Sequence, residues 1–452
     1  MPLLAQSQKY PAKKHCQKVA AQLGEKKGFF YLRGEVTRCR HDTDLELPFR
    51  QESNFQYLTG INKPGFHLLY DLAADKLTII VPDVHEDEIV WCGAPPSIDE
   101  LKSQYEADDM VYEAQLPALL DSAQPEVIHT LPFTDVSALS NHRMAINTDS
   151  LVHASQEARL TKDEHEIELM RFVNHVSSDA HVALMRAVRN GKSENDLDAL
   201  FRYECARKGA KFPAYNPIVG CGENTAVLHY VDNSAPLGDG QMLLVDAGGE
   251  YQCYAADITR TYPVNGKFTE EQRIIYETVL EMQQAVIDAI KPGVAWEDMH
   301  RLALRVCCRR LKEAGLLVGS EEELLANFIP NLFFVHGLGH SIGLDVHDSI
   351  KASYPPGVER INEPGIRYLR MRRNLEEGMV VTVEPGVYFC EHIIRPALND
   401  ERRRFINLEQ LERFRPVGGV RIEDCVVVRA TGVDNLTTAP KTVKDIEAVM
   451  AQ

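Results

Sequence analysis

Hydrophobic positions in the first third of the chain fall in short clusters. Gly28-Phe29-Phe30-Tyr31-Leu32, His67-Leu68-Leu69-Tyr70 and Leu77-Thr78-Ile79-Ile80-Val81 are brief apolar runs between polar flanks, which predicts strands. Arg143 to Asn147 predicts one more, and Lys14 to Lys26 predicts a helix ending at Gly24 or Gly28. This is a mixed α/β pattern. From Leu151 to Leu160 polar positions dominate, which predicts a connection. The spacing then changes: Ile167, Met170, Val173 and Val176 recur every three residues and predict a long helix. Its expected start is a capping box of Thr161 with Glu164, and its expected stop is Gly191. The change of period places a domain boundary near residue 155, giving a smaller domain over 1–155 and a larger one over 156–452.

The larger part repeats a theme. Ser193 with Asp196 opens a helix whose face carries Leu197, Leu200 and Phe201. Phe268 to Gly315 predicts two helices: Thr269 and Gln272 form a capping box, Pro292-Gly293 breaks the run, and a second helix spans Trp296 to Ala314. Strands are predicted at Met242–Val245, Tyr254–Tyr262, Met379–Val383 and Val420–Val428, with a hairpin turning through Gly248-Gly249. Helices followed by strands, twice, hint at an internal duplication.

Composition narrows the possibilities. At 452 residues and 44% hydrophobic, the chain can fill the cores of two or three domains. A net charge of −17 opposes binding to nucleic acid. The basic clusters at Arg370-Met371-Arg372-Arg373 and Arg402-Arg403-Arg404 are short enough to be solvated faces. Ten scattered cysteines without a CxxC pair fit reduced thiols. No run approaches the roughly 18 apolar residues of a membrane span, and Met1 to Ala20 lacks the apolar core of a signal peptide. A soluble, cytoplasmic chain is expected.

Candidate chemistry lies in the larger part. Asp246 and Asp257 each fall in an apolar, strand-like run, where an unpaired carboxylate is costly. A hairpin would bring them together, and paired carboxylates repel unless protonated or bound to a cation. His336-Gly337-Leu338-Gly339-His340, with His347 shortly after, supplies imidazoles on a segment that can pass close to a ligand. Glu384 ends an apolar run at Pro385-Gly386, and Glu423 sits inside Val420 to Val428. For each acid alone, an ion pair with Arg421 or Arg260 is the competing reading. Four such acids with a histidine form a hard, oxygen-rich donor set suited to a pair of Mn²⁺, Co²⁺ or Zn²⁺ ions, and such a pair suits hydrolysis.

In this order and these contexts, Asp246, Asp257, His340, Glu384 and Glu423 resemble the five metal ligands of the pita-bread metallopeptidases. That family includes methionine aminopeptidase, aminopeptidase P, prolidase and creatinase. Gly222-Glu223-Asn224, Leu228-His229-Tyr230, the segment His336 to Asp348, Val383-Glu384-Pro385-Gly386 and Gly419 to Asp424 are similar to its proline-specific branch. Phe49 to Ser53 and Tyr57 to Gly60 are similar to that branch's N-terminal domain.

The resemblance implies an α/β (α+β) protein with a C-terminal pita-bread domain behind a smaller mixed α/β domain. It implies two divalent ions, with Mn²⁺ expected and Co²⁺ or Zn²⁺ compatible. Asp246 would hold one ion, Asp257 and Glu423 both, and His340 and Glu384 the second. Glu384 would also serve as general base. His229 and His347 would contact substrate and move protons, His336 would stand behind the metals or beside the substrate, and Arg370 would grip a substrate carboxylate. Pro356 to Arg370 is similar to eukaryotic prolidases, and Gly339 stands where bacterial aminopeptidase P usually has Ser. Both point to an Xaa-Pro dipeptidase acting on small peptides, with aminopeptidase P as the alternative, and the resemblance implies a homodimer. A non-catalytic binding module of this fold is disfavoured, because all five ligands are present.

Overall fold

The computed structural model describes residues 9–189 and 191–452, so the first eight residues of the segment read as leaderless lie outside the described residues. Two compact units divide the chain between Arg159 and Leu160.

The first unit is built on a six-stranded sheet. Its order is Asp109–Tyr112, Lys76–Val81, His67–Asp71, Phe29–Arg33, Val127–His129, Ala145–Asn147. The central three strands pair antiparallel and the outer ones join in parallel. The three apolar runs and the Ala145 segment are strands, as their patterns predict. Asp109–Tyr112 and Val127–His129 are strands of four and three residues, too short for their apolar positions to signal a period. The expected connection at Leu151–Leu160 is instead a helix, Ser150–Leu160. It buries Leu151, Ala154 and Ala158 at helical spacing, a thin stripe among polar residues.

The second unit stacks two helix pairs against small sheets. Glu164–Ala187 packs with Glu194–Ala206, and Glu270–Ala289 packs with Trp296–Glu313. Strands follow each pair, as the repeated pattern predicts. Thr269 and Gln272 form the expected capping box. The long helix starts later than expected: its N-cap is Asp163, boxed with Glu166. Thr161 cannot cap it, because it bridges Met379 and the Lys162 amide donates to the Gly378 carbonyl at 2.8 Å, which holds both residues extended. The same helix stops at Ala187, ahead of Gly191, as Val188 turns extended.

Two expected strands are interrupted. Tyr254–Tyr262 divides into Tyr254–Ala255 and Thr259–Pro263, leaving Asp257 in the gap; Val420–Val428 divides into Gly419–Arg421 and Asp424–Arg429, leaving Glu423 in the gap. Close backbone approach accounts for the first. A Cβ on Gly248 would lie 1.8 Å from the Ala256 carbonyl oxygen, so only glycine lets this hairpin close. The strand Thr259–Pro263 still pairs with Met242–Asp246, Thr259 opposite Asp246.

The segment following His340 is pinned from beneath. Lys162, its side chain 1% exposed, lies 3.1 Å from Asp348, also 1% exposed, in a buried ion pair. Removing one partner of such a pair strands the other charge. Lys162→Met is therefore expected to cost about 3–5 kcal/mol, read as a lower urea midpoint at unchanged slope. The double variant Lys162→Met/Asp348→Leu should recover part of that loss.

Candidate active site

The sheets of the second unit deliver their acids to one place. Asp246 ends the strand Met242–Asp246, and Asp257 lies just before the strand paired with it. Glu384 follows the strand Val380–Val383 and its amide donates to the Leu338 carbonyl at 2.8 Å. One turn of pairing earlier, the Thr382 amide donates to the His340 carbonyl at 2.9 Å, and Ser341 bridges Val381. The histidine segment therefore runs beside this strand as an unpredicted extended partner. A Cβ on Gly339 would lie 2.1 Å from the Thr382 carbonyl oxygen, so glycine is required there by packing. Glu423 is joined to the other sheet, its amide donating to the Thr259 carbonyl at 3.1 Å.

Every residue singled out for the site in the sequence lines one cavity of about 820 Å³: Asp246, Asp257, His340, Glu384, Glu423, His229, His336, His347 and Arg370. His340 Nε2 is 3.4 Å from Asp257 Oδ2 and 3.5 Å from Glu384 Oε1. One donor atom each from Asp257, His340 and Glu423 lie within 4.8 Å of one another. His340 Nδ1 sits 3.1 Å from the Ser341 carbonyl, which places the ring proton on Nδ1 and leaves the Nε2 lone pair facing the acids. Burial, then the charge of Arg370, lowers the His340 pKa to about 4, so the ring is neutral at pH 7.

The acids carry more negative charge than their surroundings balance. Burial is the main cause that raises the pKa of Asp257, Glu384 and Glu423 well above the carboxylate range. The neighbouring carboxylates add to it: Asp246 acts on Asp257, Glu423 on Glu384, and Asp257 on Glu423. Tyr215 exposes the same frustration. Its hydroxyl lies 2.6 Å from Asp246 Oδ1 and 2.5 Å from Asp257 Oδ1, yet it has one hydrogen to give. The second contact needs a proton on a carboxyl group or a cation nearby. The donor set thus fits divalent ions: hard oxygens, one neutral imidazole and uncompensated charge.

The competing ion pairs account for part of the pattern. Arg421 Nη2 donates to Asp246 at 2.6 Å, its Nη1 to the Tyr388 hydroxyl at 2.7 Å, and Tyr388 meets His336 Nε2 at 2.9 Å. Arg260 turns away to Asp424 at 2.7 Å. Asp257, Glu384 and Glu423 have no arginine or lysine partner among the described residues. His347 stacks edge-on against His340 with ring centres 4.5 Å apart. Burial and then His340 lower its pKa to about 3; burial and then Arg421 do the same for His336. Arg370 lines the cavity with no ion-pair partner among the described residues. Sequence reasoning missed Tyr215 altogether and treated Arg421 only as a competitor. Neither stands out locally, since Tyr215 meets Asp246 across 31 residues and Arg421 meets it across 175.

Residues 168–430 match the model of metallopeptidase family M24, and residues 12–128 match the aminopeptidase P N-terminal domain. A protein from Pyrenophora teres f. teres named probable Xaa-Pro aminopeptidase is 43% identical, the match covering 97% of this chain and 96% of that one. One of the same name from Sordaria macrospora is 40% identical over 98% and 97% of the two chains. Among solved structures, aminopeptidase PepP of Pseudomonas aeruginosa superposes with a TM-score of 0.80 at 32% identity, covering 98% of each chain. Aminopeptidase P of E. coli with the inhibitor Pro-Leu gives 0.81 at 30% identity, covering 98% of this chain and 99% of that one. With the family's domain spanning more than half of its length and relatives matching it nearly end to end, this chain belongs to metallopeptidase family M24 and carries the aminopeptidase P N-terminal domain.

Proposed function

We propose that the chain is an Xaa-Pro aminopeptidase, releasing the first residue from peptides with proline second. The observation that carries the hydrolytic reading is the convergence of four carboxylates and a neutral imidazole on one cavity with too few cations to balance them. The named relatives turn the choice between the two sequence readings from dipeptidase to aminopeptidase. Gly339, which favoured the dipeptidase, answers to the Thr382 carbonyl rather than to substrate length.

Asp246, Asp257, His340, Glu384 and Glu423 would hold two divalent ions, which, when bound, supply the Lewis acidity that activates water and polarises a carbonyl. The remaining work belongs to the chain's own groups. An Xaa-Pro bond has no N–H and a fixed φ, so strand-like docking fails and the ring itself must be recognised. Ile218, Leu228, Val335 and Ile393 give the cavity an apolar wall for it. His229 and His347 would hydrogen-bond the substrate, His347 as a neutral ring. Glu384, fixed at the end of its strand by its amide's bond to the Leu338 carbonyl at 2.8 Å, would take a proton at its carboxyl oxygen and return it to the departing proline nitrogen. His336, fixed between the Gly337 carbonyl at 2.7 Å and the Tyr388 hydroxyl at 2.9 Å, would line the substrate side. Arg370 would take a carboxylate at the far end of the peptide, where a fork of N–H donors sets register. The family resemblance supports Mn²⁺ as the metal and a homodimer as the assembly. All ten cysteines are free thiols, which supports a reducing compartment such as the cytoplasm.

Chelation should abolish cleavage of an Ala-Pro-Xaa tripeptide, and added Mn²⁺ should restore it. The restored enzyme should cut the tripeptide at least about tenfold more efficiently than Ala-Pro, a margin of 1.4 kcal/mol; the reverse preference returns the assignment to a dipeptidase. Arg370→Ala should raise KM for tripeptides with a free C-terminus by roughly 1.5–3 kcal/mol. The same peptides amidated at that end should be insensitive to the change.

A further inference from the structure

His229 lines the cavity from a segment without regular strand or helix beyond the short turn Gly222–Ala226. Something must hold this segment, because an exposed imidazole on a loose loop cannot orient a substrate. The residue that holds it is Glu194. By position Glu194 is an ordinary first-turn acid of the helix Glu194–Ala206, favoured there by the helix dipole and expected to point to water. It is instead fully buried.

Both of its carboxylate oxygens are spent on the segment that carries His229. Oε1 accepts from the Cys221 amide at 2.8 Å and from Asn224 Nδ2 at 3.0 Å. Oε2 accepts from the Tyr230 hydroxyl and from the Ala235 amide, each at 2.8 Å. Four donors fill the four acceptor sites of one carboxylate. They come from both ends of the segment 221–235 and from the residue next to His229. The Glu194 amide also donates to the Ala235 carbonyl at 2.9 Å, closing the far end onto the helix start. Asn233, at a φ of +48°, shapes the return by accepting from the Val219 amide at 2.9 Å and donating to the Pro217 carbonyl at 2.8 Å.

We infer that Glu194 is a positioning residue: it cinches the segment 221–235 at both ends and so fixes His229 against the substrate. This rests on the substrate role proposed for His229. Glu194 neither lines the cavity nor touches the five carboxylate and imidazole donors, so it acts only through what it holds. No cation is paired with it among the described residues, and a neutral amide cannot replace it, because Gln presents an NH₂ to donors that need an acceptor.

The test is a double-mutant cycle on the full-length, Mn²⁺-loaded protein with an Ala-Pro-Xaa tripeptide. Glu194→Gln is expected to lower kcat/KM about tenfold or more, since a misplacement near 1 Å can cost up to a hundredfold. The loss should divide between kcat and KM as it does in His229→Ala. In the His229→Ala background, Glu194→Gln should cost less than about twofold, because there is no longer an imidazole to misplace. Metal content should stay unchanged. Hydrogen exchange should rise at the Cys221 and Ala235 amides and not over 340–349. Should Glu194→Gln fail to fold, Tyr230→Phe and Asn224→Ala each remove a single donor and should show smaller losses with the same dependence on His229. Multiplicative losses, with His229→Ala itself damaging, overturn the positioning role alone. An undamaged His229→Ala enzyme overturns the substrate role of His229 and this inference with it.

Discussion

Repulsion among buried carboxylates is the constraint around which the second unit is arranged. Asp246 and Asp257 come from one hairpin and Glu384 and Glu423 from two further stretches of chain, and each would be easier to bury alone. Pressing them together raises the cost, as the upward shifts of Asp257, Glu384 and Glu423 record. Such a cluster persists only where the surrounding structure leaves the side chains nowhere else to go. Two antiparallel sheets do this here, bridged at Thr259 and Glu423, with the histidine segment laid along the strand Val380–Val383 of one of them.

The same logic explains where the donors sit. A carboxylate in the middle of a ladder points to one face or the other by the two-residue period. Asp257 and Glu423 instead occupy gaps between short strands, and Glu384 follows the end of one, so each leaves the ladder where the backbone is free to aim it. Gly248 and Gly339 make this possible by letting one backbone pass another at a distance no side chain tolerates. Beside the donors stand neutral or cationic hydrogen-bonding groups: Tyr215 and Arg421 bond Asp246, and Tyr388 links Arg421 to His336. These hold orientation without supplying enough charge to neutralise the cluster.

Much of this was legible along the chain because polar residues in apolar runs are conspicuous. Asp246 and Glu384 announce themselves by violating the pattern around them, and the three sheet-forming runs of the first unit do so by obeying it. What escaped notice depends on distant partners. Thr161 and Glu164 have the letters of a capping box, but the bridge to Met379 moves the helix start to Asp163. Ser150–Leu160 is helical on a stripe too narrow to read without knowing what covers it. Tyr215 and Glu194 look ordinary in their own neighbourhoods, and only the folded chain shows what each one holds. Gly339 was legible as a departure from a pattern, yet its cause is a carbonyl oxygen 43 positions downstream, at Thr382.

Arg370 belongs to a stretch with almost no regular structure. Between His347 and the strand Val380–Val383 the one named element is the short turn Ile366–Tyr368, the rest being turns with bridges at Asn374 and Met379, and Arg360, Tyr368 and Arg370 all reach the cavity from this stretch. Loops of this kind absorb insertions and deletions at little thermodynamic cost, since closure entropy grows slowly with length. The strands that carry the acids and the stretch that brings Arg360, Tyr368 and Arg370 to the cavity are therefore separable parts. Changes of length or sequence in this stretch can reshape its side of the cavity while the strands that carry the acids stay as they are.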